Sequence, residues 1–238
     1  MADDQSVLIR VMPEHPDYRR FADPLSRQEA SYKLHRFAKS ASSPVQPMEL
    51  LPVPDIVQPN DFWCDVCCTY AVCQMFGVPP ESLEACAKDL GTTREDSTKP
   101  DRIVSYLRER GLEAEPRELM TIEDLEESWR KGNPVMVLCQ AYGVETKAQP
   151  YGHCVVFKGM AFDRLFLMDP SIDNVLQGDD APNDPGEVVI TAERWMKRWW
   201  EERDGKRYER FGIVVSKPVE PQRFAKIAHD GAIRIEKA

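Results

Sequence analysis

The hydrophobic pattern of this chain shifts from mainly helical spacing over 61–132 to mainly strand-like runs after it. From Asp61 the apolar residues fall at 64, 67, 68, 71, 72, 75 and 76, which predicts a helix with one buried face. Asp61 is placed to cap it, and Gly77 with Pro79 and Pro80 ends it. Further helices are predicted over 80–90 and about 100–110, and from the capping-box-like Thr121-Ile122-Glu123-Asp124 to Gly132. Beyond that point, 134–141 is a continuous apolar run suited to a central strand. Strands over 153–158 and 165–169 follow, joined by a turn near Phe162-Asp163-Arg164. After a polar loop over 171–186 come a short strand at 188–190, a Thr191-capped helix with Trp195 and Trp199, and a strand over 211–215. Helices first and an antiparallel sheet second is the α+β class.

Residues 1–50 read as an N-terminal extension with a proline-rich linker, 51–216 as the folded domain, and 217–238 as a tail. Within the extension, 8–12 suits a short strand and 25–41 carries a weak helical pattern. The prolines at 44, 47, 52 and 54 predict an extended connector, because proline fixes φ and restricts the residue before it.

A hydrophobic content of 42% with 30% charged residues is that of a soluble globular protein. The formal net charge of −9 argues against a general nucleic-acid binder. The acidic start MADDQSVLIR has no secretory pattern, and no run approaches the roughly 18 apolar residues of a membrane span, so a cytoplasmic, membrane-free setting is expected. The cysteine count is 7, an odd number, with five of them between 64 and 86, which favours reduced thiols over a disulfide framework.

Four residues stand out chemically. Cys64 opens the first domain helix, where the helix amino end stabilises a thiolate. His153 is the only histidine that begins an apolar strand. Asp169 ends the following strand, and a hairpin between the two brings its carboxylate near the imidazole as an orienting group. Gln58 precedes Cys64 closely enough for its amide to help the Cys64 N–H stabilise an oxyanion. Each has an ordinary structural explanation as well: core cysteine, core histidine, strand-ending turn and loop glutamine.

Taken in order, the segments are more specific. Gln58-Pro-Asn-Asp61-Phe-Trp-Cys64 leads into a helix that closes on Phe76-Gly77-Val78. Later come Gly152-His153-Cys-Val-Val-Phe-Lys-Gly159 and Leu165-Phe-Leu-Met-Asp169-Pro170. Over 51–216 this resembles the papain-like cysteine peptidases that process double-glycine bacteriocin leaders, and their stand-alone relatives. The resemblance implies a papain-like fold, an N-terminal helical part packed on a C-terminal antiparallel sheet. It also implies a Cys64–His153–Asp169 triad with Gln58 in the oxyanion hole, no cofactor or metal, and a peptide or protein substrate. Where the family usually has glycine after the cysteine, this chain has Asp65, whose carboxylate raises the thiol pKa unless it points to solvent.

The expected function is therefore a cysteine hydrolase, a peptidase or isopeptidase, with acyl transfer using the same residues. Two alternatives come from other classes. One is a catalytically inactive papain-like binding domain. The other is a thiol redox or metal site on the Cys64–Cys68 cluster, although Cys64-Asp-Val-Cys67 lacks the second ligand pair a zinc site needs.

Overall fold

The computed structural model describes residues 5–10, 32–37, 46–141, 152–171, 186–218, 226–227 and 233–234, with side chains over 50–141, 152–171 and 186–218. Strands β1 (Gln5–Arg10), β2 (Tyr32–Phe37) and β3 (Gln46–Glu49) form a small sheet in the order β2-β1-β3. The segment 32–37 is therefore a strand, paired antiparallel with β1, and not part of a helix over 25–41. Tyr32 and Leu34 alternate with Lys33 and His35, a period of two that suits a strand.

Helices α1 (Cys64–Met75), α2 (Leu83–Leu90) and α3 (Pro100–Glu109) come next, then β4 (Glu113–Arg117) and α4 (Ile122–Arg130). Strands β5 (Val135–Gln140), β6 (Gly152–Ala161), β7 (Arg164–Met168) and β8 (Glu187–Thr191) lead to α5 (Ala192–Arg198). The hairpin β9 (Trp200–Arg203) and β10 (Lys206–Glu209) precedes β11 (Gly212–Ser216), and β12 (Lys226–Ile227) pairs with β13 (Ile233–Arg234). The six-stranded sheet runs β4-β11-β5-β6-β7-β8, every pair antiparallel. The fold is thus α+β, with helices packed on an antiparallel sheet.

Strand alternation divides the core. Met136, Leu138, Cys154 and Val156 join α1, α2 and α3 on one face. Val135, Val137, Val155 and Phe157 join Leu125 of α4 and Trp195 and Trp199 on the other. Because both faces are covered, β5 is buried at every position, which is why it reads as an unbroken apolar run.

Two expectations for α1 are corrected. It is buried from Cys64 through Gln74, on all sides, because it lies between the sheet and the two following helices. Asp61 does not cap it; the N-cap is Trp63, without a side-chain bond, and Asp61 is exposed and paired with Arg94 at 2.7 Å. The second helix starts at Leu83 rather than 80, where Ser82 accepts from the Ala85 N–H. The capping box is present as read, with Thr121 and Asp124 exchanging bonds. Strand β4 and the β9–β10 hairpin carry polar sequences with no apolar signal, and the periodicity gives no sign of them. The hairpin's local cue is Asp204-Gly205, a two-residue turn with both φ values positive (52° and 73°). The expected loop over 171–186 lies, apart from its two ends, outside the described residues.

Candidate active site

The site forms where the amino end of α1 meets the start of β6. Cys64 occupies the first helical position, so its own N–H has no acceptor within the helix. His153 is the second residue of β6, and Asp169 follows the last residue of β7. The β6–β7 hairpin brings the two together: His153 Nε2 lies 2.6 Å from Asp169 Oδ1, with both side chains almost completely buried. The same carboxylate oxygen accepts the Ser171 N–H at 2.9 Å, so Asp169 closes its own turn while it holds the imidazole. With Nε2 engaged, Nδ1 is the ring nitrogen left for Cys64, which lies close enough to His153 for each to shift the other's charge.

Gln58 is positioned through its backbone. Its N–H donates to the Pro170 carbonyl at 2.8 Å, one residue beyond Asp169. Gln58 is 9% exposed, and its Oε1 has no hydrogen-bond partner among the described residues.

Further back, the connector before Gln58 is secured at Lys158. The Leu51 N–H donates to the Lys158 carbonyl at 2.9 Å. The buried Lys158 ammonium meets Asp55 Oδ1 at 2.7 Å and Glu187 Oε2 at 3.0 Å. Burial works against its charge, but Asp55 and Glu187 overcome this and hold the ammonium above its ordinary pKa. Residues 50–58 are thereby fixed across β6 towards the end of β7.

The electrostatics of the pair are set by burial and by two carboxylates. Burial acts to lower the His153 pKa, yet Asp169, by charge and by hydrogen bond, prevails and pushes it up to about 10. Burial raises the Cys64 thiol and Asp65 raises it further, while His153 opposes both. The imidazolium is thus the stable form of His153 at neutral pH, and the thiolate depends on it.

Asp65 does not point to solvent. It is fully buried, and its Oδ2 accepts from Arg203 Nη1 at 3.2 Å. Arg203 also donates through Nε to Glu201 Oε1 at 2.7 Å, and through Nη1 to the Thr98 carbonyl. Glu201 is 2% exposed and lies against Gly152: a Cβ on that glycine would fall 2.0 Å from Glu201 Oε1. The residue before His153 is therefore glycine for lack of room. Neither Arg203 nor Glu201 was identifiable from sequence, because Glu-Glu-Arg-Asp-Gly-Lys-Arg over 201–207 has the composition of an exposed turn.

The other cysteines are core residues. All seven are free and buried. Burial pushes the Cys67 and Cys73 thiols up to about 12 and Cys86 to about 11. Cys68 donates to the Cys154 carbonyl at 3.2 Å. Among the described residues no group of three or more His, Cys, Asp or Glu is arranged to hold a metal ion. No helix among them is long and apolar enough to cross a membrane.

No family model matches the chain, and no curated protein matches it in sequence. Solved structures resemble it. The peptidase domain of Streptococcus ComA, a bifunctional ABC transporter involved in quorum sensing, is 17% identical, with a TM-score of 0.49 over 68% of this chain and 96% of that one. A double-glycine-motif protease from an AMS/PCAT transporter, in complex with the leader peptide, is 18% identical, with a TM-score of 0.47 over 70% of this chain and 92% of that one.

Proposed function

We propose that residues 51–216 form a papain-like cysteine peptidase or isopeptidase domain with Cys64 as nucleophile, His153 as its acid–base partner, Asp169 as the orienting group and Gln58 as an oxyanion donor. The observation that carries this is the 2.6 Å contact of His153 Nε2 with Asp169, beside a cysteine that opens a helix and is electrostatically coupled to the imidazole. A cysteine, a histidine and a carboxylate in that order of contact are the nucleophile, base and orienter of acyl transfer.

The reactive form is the Cys64 thiolate beside the His153 imidazolium. The thiolate attacks the amide carbon, forming the C–S bond and an oxyanion that meets the Cys64 N–H and the Gln58 amide. Collapse breaks the C–N bond as the imidazolium gives its proton to the leaving amine. A water then attacks the thioester, losing a proton to the neutral imidazole, and the carboxylic acid departs as the Cys64 thiolate is regenerated. An amine in place of water makes the same step an acyl transfer. No cofactor enters this chemistry, the substrate is a peptide or protein, and a cytoplasmic setting suits seven reduced thiols.

A second reading, a papain-like domain that binds without cleaving, is favoured by one feature: burial and Asp65 both disfavour the thiolate. Labelling with a cysteine-hydrolase probe, followed by a peptide-library screen, tests both. Stoichiometric modification of Cys64 with turnover of at least one peptide is expected; a thiol inert to the probe across the neutral and alkaline range would leave the binding domain.

A further inference from the structure

Three charged side chains, two buried and one nearly so, adjoin the site without belonging to the proposed chemistry: Asp65 on α1, and Glu201 and Arg203 on β9. Their placement is not that of a generic ion pair. Asp65 directly follows Cys64, and Glu201 packs on Gly152, which directly precedes His153. Arg203 is bonded to both carboxylates, and its bond to the Thr98 carbonyl ties the cluster to the segment leading into α3. One guanidinium thus spans the helix end that carries the thiol and the strand start that carries the imidazole.

We propose that Arg203 is a positioning residue of the Cys64–His153 pair, neutralising Asp65 and clamping the first turn of α1 against the start of β6 through Glu201. This deepens the reading of Cys64 and His153 as the reactive pair and rests on it. Asp65 raises the thiol pKa, and Arg203 is the cation that meets its carboxylate. Among the described residues, the titratable and charged groups coupled electrostatically to Cys64 include Asp65, Cys68, His153, Cys154, Cys139 and Arg203. Those coupled to Glu201 include Arg203, Asp65, His153, Cys139 and Cys154. Arg203 is the only permanent cation among these described groups, since His153 itself titrates. A merely structural ion pair would change stability when cut and leave the titration of the thiol and imidazole where it was.

The test is the pH dependence of Cys64 alkylation by iodoacetamide in the full chain, with far-UV circular dichroism as the folding control. Arg203→Met leaves Asp65 uncompensated, and a rise of one pKa unit makes alkylation at neutral pH about tenfold slower. Asp65→Asn leaves Arg203 bonded to Glu201 and Thr98 and speeds alkylation. The double variant returns the rate to within about threefold of the parent, under half a pKa unit. Rates that do not change, or that move the same way in both single variants while the fold persists, overturn the proposal. Should Arg203→Met fail to fold, Asp65→Asn decides alone, faster alkylation supporting the clamp and an unchanged or slower rate refuting it. A parent that alkylates normally but turns over no peptide sinks the peptidase reading and leaves this one intact. If the parent thiol does not alkylate, NMR titration of His153 carries the test: its pKa rises in Arg203→Met and falls in Asp65→Asn, and an unmoved pKa overturns the clamp.

Discussion

His153 Nε2 and Asp169 Oδ1 lie 2.6 Å apart at the open end of the β6–β7 hairpin, both side chains shielded from water. The pairing is antiparallel, with Val156 opposite Met168, so the two residues sit diagonally at neighbouring strand ends. A shift of one residue in that register would send one of the two side chains to the opposite face. The contact therefore depends on the whole hairpin, and the charge state of His153 depends on the contact.

Asp169→Asn should lower the His153 pKa and reduce turnover less than His153→Ala does, because part of the orienting bond survives. The stability effect has a defined sign. The folded pKa of about 10 lies above the ordinary 6.5, so the imidazolium's contribution is complete below about pH 6.5 and is lost as pH rises through about 10. Urea unfolding at several pH values should show the cost of Asp169→Asn shrinking across that window. A pH-independent cost would mean that the contact does not hold the imidazolium.

The pH–rate profile should rise in the alkaline range as the thiolate forms, since burial and Asp65 hold the Cys64 pKa above its ordinary 9.0, and fall again as His153 loses its proton near pH 10. Its apparent pKa values belong to the coupled pair rather than to either residue. A profile that declines above pH 6 would contradict this charge assignment.

Cys64→Ala should abolish probe labelling and turnover with the fold retained, since it removes a single buried sulfur atom. Cys73→Ala, fully buried on the same helix, should leave chemistry unchanged and cost about 1 kcal/mol in urea unfolding. Full hydrolysis by Cys64→Ala would reject the mechanism.

Glu201 supplies a separate stability signature. Burial raises its pKa to about 7 despite Arg203, above the ordinary carboxylate value of 4.5. Its contribution is complete below about pH 4.5 and is lost as pH rises through about 7. Thermal melts should show Glu201→Gln gaining on the parent across this range and running parallel to it above. A constant difference at all pH values would show that Glu201 does not titrate there.

Lys158→Met should destabilise the domain by about 3 kcal/mol, because it removes the cation held between Asp55 and Glu187. It should also lower turnover, since the connector it secures leads to Gln58. Loss of stability with full turnover would separate Gln58 from this latch.

The local sequence determined the layers. The shift from mainly helical to mainly strand-like spacing near Gly132 marks the two parts, and the unbroken apolar run of β5 announces a strand covered on both faces. It also placed a cysteine at a helix start, a histidine at a strand start and an aspartate at the end of the next strand, because each position follows from periodicity and chain stops. Tertiary structure alone decided which charges go inside. Asp65, Lys158, Glu201 and Arg203 have the local composition of solvated residues, yet all four are buried or nearly so, each facing a partner at least 29 residues away or held against one that does. Burying a charge is costly unless an opposite charge meets it, and that partner is set by packing between distant segments, which hydrophobic spacing along the chain does not encode.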